Sequence, residues 1–282
     1  MKLVIDFQGA QACNSQRGIG RYCRAVVMEI CKKYSHEFDI HLLISGAFLP
    51  EGLTLKKHFS QLIPKENFHV FFPCTDKNQG LMSIDNFKRS EVVREALLER
   101  INPQIVLITS LFEGLVDNAV VTAQNQESKY KTAVILYDLI PLLHPDLYLD
   151  NKKSKLWYKR RIEQLEKINC VLTISEHTRK TAKKYLKILD TKLFNISGAV
   201  DHSFFSCTED TSKENYIFTV SGIDPRKNLN LLIRAFSQAV QLLNTDYQLI
   251  ITCEISKEDI RASKILMKEL KLDHQKVIFT GY

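Results

Sequence analysis

Short runs of apolar, often β-branched residues alternate along this chain with longer stretches whose apolar positions recur every three to four residues. Lys2–Phe7, Asp39–Ile44, Phe68–Phe72, Gln104–Ile108, Lys131–Leu136, Cys170–Ile174 and Leu193–Ser197 have the length and composition of buried strands. Between the first two, Ile19, Tyr22, Cys23, Val26, Val27, Ile30, Cys31 and Tyr34 are spaced by threes and ones. At about 3.6 residues per turn that spacing gathers them on one face of a helix. Ser90–Arg100 and Lys155–Ile168 carry similar stripes. Strand, helix, strand in repetition predicts an α/β fold, a mostly parallel sheet with helices on both faces.

The rhythm breaks once. The segment 207–215 is polar and acidic and reads as a linker. The pattern then restarts with a strand at Tyr216–Val220 and a helix at Leu229–Leu243, whose Leu232, Ala235, Phe236, Ala239, Val240 and Leu243 share a face. A strand at Tyr247–Cys253, a helix at Ile260–Leu270 and a strand at Lys276–Thr280 follow. The expected organisation is a complete Rossmann-like domain over 1–206, a linker over 207–215, and the first part of a second such domain over 216–282. The second domain is expected to be unfinished, because a doubly wound sheet cut after a strand leaves a buried edge bare.

Composition adds little to this picture: 282 residues, 45% hydrophobic and 25% charged, suit a globular chain with an ample core. No apolar run approaches the roughly 18 residues of a membrane span. Asp6 interrupts the apolar start, so a buried strand explains it better than a signal peptide, and a cytoplasmic location is expected. The seven cysteines are scattered, without a C-x-x-C pair. Cys23, Cys31, Cys170 and Cys253 lie within apolar patterns and are expected to pack as reduced, small hydrophobes.

Charge is uneven. Of a formal +7 overall, the stretch from Asn151 to Lys192 alone sets 13 Lys and Arg against 4 Asp and Glu. Two readings stand: a solvated helical face, or a surface drawn to anionic lipid head groups or phosphorylated substrates at the inner membrane face. No nucleic-acid recognition motif accompanies the charge.

Candidate chemistry sits where strands feed helices, since ligands of parallel sheets bind beyond the carboxyl ends of the strands. The loop Gly9–Gly20 ends in Arg17, Gly18, Ile19, Gly20 and Arg21. Its glycines allow close backbone approach, free helix N–H groups attract anions, and the arginines can add charge-assisted hydrogen bonds. Cys23 stands where a third dinucleotide-binding glycine would be. A second loop, Ser221–Asn228, combines Gly222 with Arg226 and Lys227 before a helix. Two cations at a helix N-terminus oppose its dipole, which suggests that a phosphate or diphosphate lies between them. A solvated basic turn is the plainer alternative. Asp138 and His144 follow a core strand, with His144 equally readable as a packed side chain. Ser175 reads as a helix cap in Leu172–Arg179.

Taken together, RGIGRY (17–22), YDLIPLLHP (137–145), TISEHTRK (173–180), ISGAVDHSFF (196–205) and SGIDPRKNLNLLIRAF (221–236) occur in the order seen in GT4 glycosyltransferases. The chain resembles that family, and above all its bacterial mannosyl- and rhamnosyltransferase-like members of polysaccharide assembly. The resemblance implies a GT-B fold, two Rossmann-like domains facing across a cleft. It also implies metal-independent, retaining transfer of a sugar from a nucleotide-sugar donor to a glycan or lipid-linked acceptor. No cofactor is expected.

By resemblance, Gly18, Gly20, Gly222, Arg226 and Lys227 hold the donor diphosphate, whose leaving charge fixed cations would stabilise. Asp138, with Tyr137 and His144 beside it, is expected at the catalytic position. Arg17, Arg21 and Glu176 are expected on the acceptor side. The sequence departs from the family pattern at Tyr137, where many members carry a catalytic histidine, and at Ile223, where an arginine often follows the glycine. The family's E-x7-E segment would lie beyond Tyr282, so little or no transfer activity is expected of residues 1–282 alone. A non-catalytic module that binds a glycolipid acceptor or partner enzyme is the alternative, and the GT-B sugar-nucleotide epimerases are a third.

Overall fold

The seven apolar runs of the first unit become seven parallel strands in the computed structural model, which describes residues 1–75, 80–123, 129–199, 215–220, 224–243, 246–252 and 255–281. They are β1 (Lys2–Asp6), β2 (Asp39–Ser45), β3 (Phe68–Phe71), β4 (Ile105–Ile108), β5 (Lys131–Leu136), β6 (Cys170–Thr173) and β7 (Leu193–Asn195). Their order across the sheet is β3-β2-β1-β4-β5-β6-β7. The order reverses between β1 and β4, the switch point at which a doubly wound sheet opens a crevice.

The central strands are apolar on both faces because helices lie on both. On one face Ile5, Leu42, Ile44, Leu107 and Ile135 meet Cys23, Val27 and Cys31 of α1 (Gly18–Tyr34), with Leu55 and Phe59 of α2 (Leu49–Phe59). Phe59 closes on Phe7 edge to face at 5.3 Å. On the other face Val4, Leu43, Val106, Val134, Leu136 and Val171 meet Leu98 of α3 (Ile84–Ile101). Two short helices, α4 (Ile140–Leu143) and α5 (Pro145–Tyr148), follow β5. Leu165 of α6 (Lys152–Leu165) and Ala182 of α7 (Glu176–Tyr185) complete that layer. Each such buried side chain contributes roughly 1.5–3 kcal/mol.

Cover on both faces, expected throughout, is incomplete over β6 and β7 among the described residues. Register pairs Leu172 with Phe194, so both point to the α1 side. There Leu172 and Ile174 are only half-buried, Phe194 is 51% exposed and Ile196 38%. Among the described residues α1 is the last helix on that face before the sheet surface opens.

Asp6, the charge that broke the first apolar run, is fully buried. Arg94 of α3, equally buried, donates to its carboxylate from Nε at 2.8 Å and pairs from Nη2 at 2.7 Å. Arg94 Nη1 continues to Thr122 at 2.9 Å and Glu95 at 2.6 Å. A buried charge survives only when so paired.

The irregular segment between β4 and β5 is buried too, at Ala119, Val120 and Val121. Its peptide groups are satisfied by side chains. Gln8 donates to the Val120 carbonyl (2.8 Å) and accepts from its N–H (2.9 Å), while Arg161 donates to the carbonyls of Glu113 (3.0 Å) and Val121.

A second compact unit, Ser206–Tyr282, holds β8 (Tyr216–Val220), α8 (Leu229–Leu243), β9 (Gln248–Thr252), α9 (Lys257–Glu269) and β10 (Val277–Gly281). Its parallel sheet runs β10-β9-β8, with Leu249 and Ile251 of the central strand packed against Ile233, Phe236, Leu266 and Met267 of the two helices. Ser256 caps α9 through the N–H of Asp259, and moves its start earlier than the apolar stripe predicts. β8 is an edge strand among the described residues, exposed along nearly all its length.

Candidate functional site

The parallel strands of the first unit end at one edge of the sheet, so the loops after β1, β4, β5 and β6 open together there. The loop after β1 holds the predicted glycines. Gly18 and Gly20 form the first turn of α1, whose N-cap residue Arg17 offers no side-chain cap. The two glycines differ. A Cβ on Gly20 would stand 2.1 Å from the Ser15 carbonyl oxygen, whereas one on Gly18 would meet nothing within 4 Å. Gly20 is thus required by the loop's own path, and Gly18 leaves the helix start open. Arg17 and Arg21 are exposed on that turn.

The loop is held from within. The Asn14 carbonyl accepts from Arg17 N–H (2.9 Å) and Gly20 N–H (3.2 Å), and Arg24 donates to the Ser15 carbonyl at 2.7 Å. It is also held from the neighbouring strand, by a residue the sequence did not single out. Glu113, only 2% exposed, accepts from Ser110 Oγ at 2.9 Å and from the Asn14 side-chain amide at 3.2 and 3.4 Å. It therefore spans the switch point, from the end of β4 to the loop after β1. Burial pushes its carboxyl up to about 7, against the pull of its hydrogen bonds. Nearby, Asp117 accepts from Cys13 N–H at 2.9 Å. Burial and then the Asp117 charge push the Cys13 thiol up to about 12. Cys13, Glu113 and Asp117 offer ligand atoms within 4.8 Å of one another, all already engaged by the chain or protonated near neutrality.

After β5, Tyr137 turns inward. Its hydroxyl lies 3.0 Å from Cys23 Sγ and donates to the Thr109 carbonyl at 3.2 Å, and its ring meets Tyr22 edge to face at 5.8 Å. Burial raises this phenol far above its ordinary range, so it stays protonated. Asp138 is exposed, just ahead of α4, and accepts from Ile140 N–H at 3.0 Å. His144, at the junction of α4 and α5, is exposed, so the packed alternative does not hold for it.

After β6, Ser175 caps α7 by accepting from Thr178 N–H at 3.1 Å, as its position predicts. Thr178 Oγ1 in turn donates to the Tyr137 carbonyl at 3.0 Å, tying the β5 and β6 loops together. Glu176 is engaged by Arg179, which also pairs with Asp190 at 2.6 Å.

In the second unit, Gly222 lies outside the described residues. Arg226 and Lys227 do follow β8 in a short 3-10 turn before α8. The expectation that an outside anion accounts for both cations needs amending. Asp224 receives the Arg226 guanidinium through Nε at 2.9 Å, and the Arg226 N–H at 3.0 Å. Lys227 is exposed.

The basic stretch divides. Arg161 is buried, Arg160 pairs with Glu91 at 2.6 Å, and Arg179 and Lys183 pair with Asp190. Lys152, Lys153, Lys155, Lys159, Lys180, Lys184 and Lys187 remain exposed. Among the described residues no helix is long and apolar enough to cross a membrane.

No protein-family profile matches the chain. Its sequence is 26% identical over 297 residues to a serotype-specific mannosyltransferase WbdA of Escherichia coli, an alignment covering 100% of this chain and 35% of that protein. A second WbdA of Escherichia coli is 26% identical over 87% of this chain and 32% of its own length. The chain thus spans about a third of the curated relatives it matches. In fold it is similar to Anabaena HepE, solved with UDP and glucose, at TM-score 0.60 and 15% identity, covering 100% of this chain and 69% of that one. Sucrose-phosphate synthase from Thermosynechococcus elongatus gives TM-score 0.63 at 12% identity, over 100% and 70%. A UDP-GlcNAc 2-epimerase from Neisseria meningitidis gives 0.53 at 13%, over 100% and 72%. The fold is that of the GT-B proteins, and the sequence relatives are glycosyltransferases.

Proposed function

We propose that this GT-B chain, of the glycosyltransferase kind and related to mannosyltransferases, serves the transfer of a mannosyl group from a nucleoside diphosphate donor to a glycan or lipid-linked acceptor in surface polysaccharide assembly. The observation that carries the reading is the turn Asp224–Lys227. It sets Arg226 and the exposed Lys227 beside the N-terminus of α8, where oriented N–H groups add to their field. As the bond from sugar to diphosphate breaks, charge collects on the leaving phosphates, and fixed cations stabilise that charge more than the ground state. On this reading the transfer needs no metal and retains the anomeric configuration.

A donor phosphate first has to draw Arg226 from Asp224. Their pair is partly exposed, so the exchange costs little, about 0–1 kcal/mol. In the first unit, the open helix start at Gly18, with Arg17 and Arg21, suits a phosphate or an acceptor hydroxyl. Asp138 and His144, both exposed at the same sheet edge, are the candidates for contact with the reacting groups, with Glu176 on the acceptor side. Tyr137, its hydroxyl facing inward, shapes that wall rather than exchanging protons.

A lipid-linked acceptor brings the protein to a membrane surface at its cytoplasmic face. The exposed lysines of α6 and α7, with Leu156 and Tyr185 exposed among them, suit peripheral contact with anionic lipid.

Titration of the chain with nucleoside diphosphate-mannose tests the central claim. Binding is expected to weaken about tenfold or more in Arg226→Ala with Lys227→Ala, with Arg234→Ala as the unaffected control. Equal affinity of the double variant and the parent chain would sink the assignment.

A further inference from the structure

Glu113 belongs to no motif that points to transfer chemistry, yet it joins the two loops of the switch point. Residues Cys13 and Asn14, at the start of the turn that leads into α1, are both held by carboxylates of the β4–β5 segment. Cys13 N–H goes to Asp117, and the Asn14 amide goes to Glu113. Asn14 is the hinge pin of the arrangement. Its backbone carbonyl holds the N–H groups of Arg17 and Gly20, so the position of Asn14 sets where α1 begins. Ser110 fixes the Glu113 carboxyl from the other side, and Arg161 fixes its backbone carbonyl.

We propose that Glu113 is a positioning residue: through Asn14 it locks the start of α1 in the geometry that receives the phosphate-bearing substrate. The proposal rests on the transferase reading, which gives the Gly18 helix start its ligand. Glu113 itself, enclosed between the loops, touches no substrate. Its effect passes through one hydrogen-bonded side chain to a backbone carbonyl and then to two N–H groups. A misplacement of about 1 Å in such a loop is enough to spoil a phosphate site.

The experiment is a double-mutant cycle read by affinity for nucleoside diphosphate-mannose on the full chain. Asn14→Ala and Glu113→Ala should each weaken binding about fivefold to tenfold, and the double variant should be no worse than either single one. Glu113→Gln, which keeps an acceptor oxygen for Asn14, should restore affinity to within about twofold. Should Glu113→Ala fail to fold, Asn14→Ala and Glu113→Gln still decide the question. Full parental affinity in Asn14→Ala overturns the proposal, as does additive loss in the double variant. If the parent chain itself does not bind this donor while remaining folded, the transferase reading fails first and the proposal with it.

Discussion

Replacing Glu113 by glutamine should make the protein more stable, and increasingly so as the pH rises. The carboxyl is enclosed, and burial lifts it from 4.5 to about 7. The folded state therefore holds a proton over a pH range in which the unfolded chain has released it. Folded molecules bind more protons than unfolded ones between those two values, so the Glu113 contribution to stability is present below about 4.5 and is lost as the pH rises to about 7. A difference of about 2.5 pH units at 1.36 kcal/mol each amounts to about 3 kcal/mol of stability forgone above neutrality. Glutamine is neutral at every pH, retains an oxygen for Ser110 and Asn14, and forgoes nothing.

The measurement is urea unfolding of both proteins between pH 5 and pH 8, followed through the fluorescence of Trp157, the single tryptophan, which lies on α6 in the same unit. Other titrating groups cancel in the difference. His69, for example, is pushed down to about 4 by burial and then by His41, so its contribution is lost as the pH falls from 6.5 towards 4 in both proteins. The gap between variant and parent should widen by about 2.5 kcal/mol from pH 5 to pH 8, since part of the effect falls below pH 5. A gap that is flat across the range, or that narrows with rising pH, refutes the account of Glu113 as a carboxyl strained by enclosure.

Three further outcomes are expected. Asp6→Ala leaves the Arg94 guanidinium buried without its partner and should cost about 3–5 kcal/mol in urea unfolding, while Asp6→Leu with Arg94→Met should cost clearly less than that. Gly20→Ala drives a methyl into the Ser15 carbonyl and should destabilise by about 1–3 kcal/mol, whereas Gly18→Ala should leave the thermal midpoint nearly unchanged. Cys13 is exposed yet held as a thiol, so alkylation at pH 8, followed by peptide mass spectrometry, should run about a thousandfold slower than in the unfolded chain. Asp117→Asn should speed it.

The sheet was legible because its signal is local. Seven runs of the first unit and three of the second, each apolar on consecutive positions, read as strands, and all ten appear, two with the expected bounds and eight with an end shifted by a residue or two. Helix α1 was legible from its stripe, and α3 only in part. Its first turn carries exposed Ile84 and Asp85 after the cap Ser83, so the apolar period begins late. Helix α2 buries just Gly52, Leu55 and Phe59, with Pro50 and Gly52 in its sequence, and its pattern did not announce a helix.

At the site, glycines and cations stood out by type, and the Ser175 cap by position. Glu113 and Arg94 did not. Each acquires its meaning from partners 88 to 99 residues away in the chain, Asp6 for Arg94 and Asn14 for Glu113. Nothing in the neighbouring sequence distinguishes a carboxylate that will be enclosed from one that will face water. Asp224 is the opposite case: its partner Arg226 stands only two positions on in the same loop, a local pairing the sequence reading passed over.

β8 has a practical consequence for anyone handling the protein. Among the described residues β8 is a flank strand, with Tyr216, Ile217, Phe218 and Val220 45%, 43%, 56% and 63% exposed and no charged residue in its five positions. Its outer peptide groups should exchange deuterium rapidly, and concentrated solutions should thicken or precipitate as strands of different molecules stack there. A lysine in place of Phe218 is the simplest remedy.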